Sequence, residues 1–139
     1  MQISLSELAA HLGAELRGDS NQQITGVATL KEASSGEIAF LANESYRKQL
    51  AESEASAVIV READAESVSG SALVCDNPYL AFALATQLFD NRPRTSSGVH
   101  SSAVVAGSAR IGDGCRIAAN VVIGDGAIIG DDCEIGAGT

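Results

Sequence analysis

Few side chains in this 139-residue chain are equipped for catalysis. Proton transfer near neutral pH usually falls to histidine, and the chain has only His11 and His100. His11 lies in "SELAAHL", which reads as a helix, where a surface or partly buried place accounts for it. The cysteines, at 75, 115 and 133, are odd in number and widely spaced. They fit neither a disulfide framework nor a CxxC metal site, and no metal or cofactor is expected. Phe40, Asn43 and Tyr46 follow one another at intervals of three. Two aromatic rings can hold a flat ring by stacking, and an amide offers both a donor and an acceptor. On spacing alone they also fit plainer roles: Phe40 as core, Asn43 as a helix N-cap, Tyr46 as a half-buried helix residue.

The elements that would position these residues alternate. Ser4 and Glu7 form an S-x-x-E capping box, Leu5, Leu8, Ala9 and Leu12 share a face, and Gly13 stops the helix. "AELRG", "QITGVATL", "GEIAFLA", "SAVIV" and "SALVC" read as strands. "NESYRKQLAES" reads as a helix capped by Asn43. "NPYLAFALATQLFD" reads as a helix capped by Asn77, with Pro78 at its first position and Leu80, Leu84 and Leu88 along one side. Residues 1–90 therefore predict a small α/β domain, and the polar "NRPRTSSG" of 91–98 a linker.

From residue 99 the chain repeats. Val99, Val105, Ile111, Ile117, Ile123, Ile129 and Ile135 are six apart, and a small or β-branched residue follows each by four: Ala103, Ala109, Cys115, Val121, Ala127, Cys133, Thr139. A period of six suits a parallel β-helix, in which each hexad is one short strand and a turn and three hexads close a coil. The aliphatic residue fills the core, and Gly or Asp supplies the turn. The "GDG" at 112–114 and 124–126 is better read as turns than as a calcium repeat, whose period is nine. Cys115 and Cys133 lie one coil apart and should stack as buried free thiols. His100, second in its hexad, should point outward.

Charge excludes several function classes. The net charge is −9, with seven basic against thirteen acidic side chains in residues 1–98 and two against five in 99–139. No basic run offers a nucleic-acid footprint or a hold on anionic membranes. No apolar run is long enough for a membrane span, and "MQISLSELAAHLGAEL" lacks the regions of a signal peptide. A cytoplasmic chain is expected.

The hexads of residues 99–139 resemble the left-handed parallel β-helix of the bacterial hexapeptide-repeat transferases. "VHSSAVV" resembles their "IHPTA" opening, with Ser101 where Pro is usual. The handedness and an expected homotrimer, with active sites between neighbouring subunits, come from this resemblance. "ITGVATLKEASSGEIAFLANESYRKQL" and "NPYLAFA" resemble the N-terminal domain of the UDP-3-O-(3-hydroxyacyl)glucosamine N-acyltransferases. That family moves a 3-hydroxyacyl chain from acyl carrier protein to the 2-amino group of UDP-3-O-acylglucosamine in lipid A biosynthesis. It implies a uracil-binding role for Phe40, Asn43 and Tyr46. Arg47 and Lys48 could approach phosphates but fit a solvated face equally, and stay outside the site. The family's catalytic histidine belongs to later coils, beyond Thr139, and neither His11 nor His100 matches it. No catalytic residue is therefore assigned, and the chain is expected to be an N-terminal fragment, inactive alone. The alternatives are another hexapeptide-repeat acyl- or acetyltransferase, or a non-catalytic trimerising module.

Overall fold

A computed structural model describes residues 1–139. The chain forms two compact units, Met1–Asn91 and Arg92–Thr139. The first begins with β1 (Ile3–Ser4), α1 (Leu5–Leu12) and β2 (Glu15–Arg17). The capping box closes α1 as expected. The Ser4 Oγ accepts from the Glu7 amide at 3.3 Å, and the Glu7 carboxylate accepts from the Ser4 amide at 3.1 Å. Gly13 ends the helix in the left-handed region at φ 63°.

"QITGVATL" is not one strand. β3 (Gln23–Ile24) pairs antiparallel with β1, whereas β4 (Gly26–Val27) pairs parallel with β5 (Glu37–Phe40). Two different partners take its halves, and the strand breaks at Thr25. "NESYRKQLAES" is likewise shorter than expected: a 3-10 turn at Glu44–Tyr46, then the single turn α2 (Arg47–Leu50). Only Leu50 of these residues is buried, so little apolar contact holds a longer helix together.

β6 (Ala57–Val60) is followed by a second 3-10 stretch, Glu62–Ser67, and then by β7 (Ser71–Val74) and α3 (Pro78–Leu88). The main sheet runs β2-β7-β6-β5-β4, with β2 antiparallel and the rest parallel. Both of its faces are buried, as parallel strands require. Side chains alternate accordingly along β6. Ala57 and Ile59 join Leu5, Leu8, Ile38 and Leu73 in the core under α1 and α3. Val58 and Val60 join Leu41, Leu50 and Ala72 in the opposite core.

α3 does not present its leucines as a buried stripe. Its buried face is Pro78, Ala81 and Ala85, while Leu84 and Leu88 are half-buried at the flank and Leu80 is 56% exposed. Alanine lets the helix backbone lie close to the sheet, and the bulkier leucines are displaced to the sides.

The second unit has seven two-residue strands: β8 (Gly98–Val99), β9 (Val104–Val105), β10 (Arg110–Ile111), β11 (Arg116–Ile117), β12 (Val122–Ile123), β13 (Ile128–Ile129) and β14 (Glu134–Ile135). They stack parallel in three sheets, β8-β11-β14, β9-β12 and β10-β13. The chain visits the three sheets in rotation and returns to each after 18 residues, an offset repeated by the turn contacts. The aliphatic residues fill the interior as expected, with Ile117 fully buried, but Val99 in the opening strand is 49% exposed.

Gly or Asp supplies most of the turns, as expected, and both GDG stretches are turns. The glycines directly after Ile111, Ile123, Ile129 and Ile135 do not hold the left-handed conformation. Gly114, Asn120, Gly126, Asp132 and Gly138 do, at φ 71°, 58°, 70°, 55° and 75°. These are also six apart, three positions beyond Ile111, Ile117, Ile123, Ile129 and Ile135. Asn and Asp tolerate this region best among residues with a Cβ.

Cys115 and Cys133 stack in register, the Arg116 amide donating to the Cys133 carbonyl at 2.8 Å. Both thiols are free, but only Cys115 is buried; Cys133 is half-exposed, in the last stretch of coil. The Cys115 thiol donates to the Gly130 carbonyl at 3.0 Å.

Candidate nucleotide site

The residues singled out by type gather at the carboxyl end of β5, beside the start of α3. That edge is where parallel α/β sheets leave a crevice for ligands. Phe40 is the last residue of β5 and packs, half-buried, on the α1–α3 face. Tyr46 closes the 3-10 turn and is 47% exposed. Phe40 and Tyr46 line one cleft of about 340 Å³, together with Thr29, Lys31, Gln49 and Phe82. That volume admits a flat heterocycle with an attached sugar.

Asn43 lines the neighbouring cleft of about 320 Å³, with Glu44, Arg47, Arg61, Asp64 and Tyr79. Ala42 borders both clefts. Asn43 is not on a helix face. It sits in extended backbone before the 3-10 turn, and its Oδ1 accepts from the Ser45 amide at 3.0 Å. The capping role and a ligand role are compatible, because the amide Nδ2 and a second Oδ1 lone pair stay open.

Arg47 is engaged rather than free. Its guanidinium donates to the buried carboxylate of Asp64 and, at 3.3 Å, to Glu44. The hydrogen bond it donates to Asp64, with the nearby carboxylate charges, raises its pKa against the cost of desolvation. Arg61 and Lys31 have no ion pair. The spacing argument missed Phe82 and Tyr79. Phe82 stacks on Phe40 with ring centroids 4.2 Å apart, and Tyr79 meets the same ring edge-on at 5.2 Å. Their signal was "NPYLAFA", which reads as a capped helix and carries the family resemblance, while the sequence reading assigns its aromatics no place in the site.

Neither histidine lies in these clefts. His11 is exposed in the last turn of α1. His100 is exposed as expected, and its Nδ1 accepts from the Ser102 amide at 3.1 Å and lies 2.8 Å from the Ser102 hydroxyl. It fastens a turn. No group of His, Cys, Asp and Glu could hold a metal ion, and no helix is long and apolar enough to cross a membrane.

The six-residue coil and the domain before it define a hexapeptide-repeat transferase architecture, and residues 108–139 match the family model for bacterial transferase hexapeptide repeats. Residues 21–88 match the family model for UDP-3-O-(3-hydroxymyristoyl) glucosamine N-acyltransferase. The UDP-3-O-acylglucosamine N-acyltransferase of Pseudomonas aeruginosa (strain UCBPP-PA14) is 50% identical over 111 residues, 80% of this chain. That of Pseudomonas fluorescens (strain SBW25) is 50% identical over 117 residues, 84% of the chain. The chain spans 31% and 33% of the length of these two relatives.

Proposed function

We propose that residues 1–139 recognise the uridine end of a UDP-sugar. Phe40 and Tyr46 stack on the uracil, and Asn43 meets its O4 and N3–H edge. The observation that carries this reading is the cleft in which Phe40 and Tyr46 stand together, bordered through Ala42 by Asn43. The whole protein, on this reading, transfers a 3-hydroxyacyl chain from acyl carrier protein to the 2-amino group of UDP-3-O-acylglucosamine in lipid A biosynthesis, in the cytoplasm. The printed names of the relatives support the substrate and the reaction class. No general base is assigned among residues 1–139, and neither His11 nor His100 lines either cleft.

The coil is proposed to be a left-handed parallel β-helix that assembles as a homotrimer. Outward-facing apolar side chains support self-association: Val104 and Val122 stack in register, and Ile128 is 79% exposed. The test of uridine recognition is titration of the chain with UMP, UDP-N-acetylglucosamine and AMP. Saturable binding of both uridine compounds, with AMP at least tenfold weaker, is the expected result. Equal affinity for UMP and AMP, or binding of neither uridine compound, overturns the reading.

A further inference from the structure

We propose that Phe82 is a positioning residue of the nucleotide site, acting with Tyr79 to hold the Phe40 ring in the orientation that receives a base. The proposal rests on the uridine reading above and adds to it. A stacking platform helps binding only if it is already aligned, because ordering a loose ring on binding costs affinity. Phe40 ends its strand, beside a cleft that supplies packing on one side only.

The structure fills that gap with α3. Phe82 covers one face of the Phe40 ring, with centroids 4.2 Å apart and planes 21° from parallel. Tyr79, one turn earlier, meets the ring at 72°. Both are preferred aromatic geometries. With one face and an edge gripped, only the other face of Phe40 is left to stack a ligand.

Phe82 packs at the edge of the α1–α3 core, and core packing alone does not account for its place in the cleft wall. The close contact of α3 with the rest of the fold is made by Ala81 and Ala85, which are buried, whereas Phe82 is half-buried and borders the cleft. Tyr79 is 60% exposed and lines the cleft that holds Asn43. Two aromatic side chains from one helix turn thus flank the two clefts and converge on one ring.

The experiment is an NMR titration of the 139-residue chain with UMP, following the H5 and H6 resonances of the base. Ring currents from a stacked aromatic move them upfield. Phe82→Leu is expected to weaken UMP binding roughly two- to tenfold and to reduce the upfield shift at saturation. Phe82→Tyr, which restores the ring, is expected to bind within about twofold of the parent. Should Phe82→Leu fail to fold, Tyr79→Leu carries the test, and weaker binding at an unchanged melting temperature supports the role. Parental affinity and shift in the leucine variant, or loss in Phe82→Tyr equal to that in Phe82→Leu, overturns the positioning role while leaving uridine recognition standing. Failure of the parent chain to bind UMP overturns both.

Discussion

Tyr46 offers the cleanest separation of binding from folding. It belongs to none of the three apolar cores and is 47% exposed at the end of a 3-10 turn. Truncating it to alanine should change folding stability by no more than about 0.5 kcal/mol, as for other surface substitutions. Stacking on a base is worth roughly 1–3 kcal/mol, so Tyr46→Ala should weaken UMP binding about 5- to 150-fold. Tyr46→Phe keeps the ring and should stay within about twofold of the parent. Phe40→Ala should weaken binding too, but it also removes the stack on Phe82 and the edge contact of Tyr79, so its melting temperature should fall. Isothermal titration calorimetry gives the affinities, and thermal unfolding followed by circular dichroism gives the stability control. Unchanged UMP affinity in a folded Tyr46→Ala protein would refute the stacking assignment.

Other outcomes follow from the scaffold. Ser4→Ala should cost about 1 kcal/mol in urea unfolding, through loss of the α1 cap. Hydrogen bonds from Ser4 hold the Glu7 carboxyl below its usual range, so its stabilising contribution is present near neutral pH and fades as pH falls through the folded value. The stability gap between the parent and Glu7→Gln should therefore shrink in acid, and a gap that widens would contradict the capping box. Ile117→Ala should destabilise the coil by about 2–5 kcal/mol in urea unfolding, because the side chain is fully buried among Cys115, Val121 and Ile123. Ile135→Ala, half-exposed, should cost less. In thiol labelling of the native chain, Cys133 should react before Cys115, which is buried and donates its proton to Gly130; the reverse order would contradict the stacking.

Much of this was legible in the chain because it is written in local rules. A period of six can be read from Val99 to Ile135, and a backbone that turns at each hexad has only a few ways to bury a regular aliphatic residue. The capping box at Ser4 and Glu7 involves neighbours three apart and is realised as expected. The matched family and the UDP-sugar enzymes named among its relatives are those implied by the residues around Phe40 and "NPYLAFA".

What the tertiary structure decided involves partners distant in sequence. "QITGVATL" divides because β1 claims Ile24 and β5 claims Val27, a competition no single segment reveals. Arg47 could be a phosphate ligand or a solvated cation by sequence, and Asp64, brought beside it by the turn after β6, engages it. Phe40 and Tyr46 are paired by spacing, but Phe82 reaches Phe40 only because α3 packs against the sheet through alanines. Local sterics determine which elements form and with what period. Which side chains face one another across a cleft is determined by how those elements pack, and packing depends on surfaces that exist only once the chain has folded.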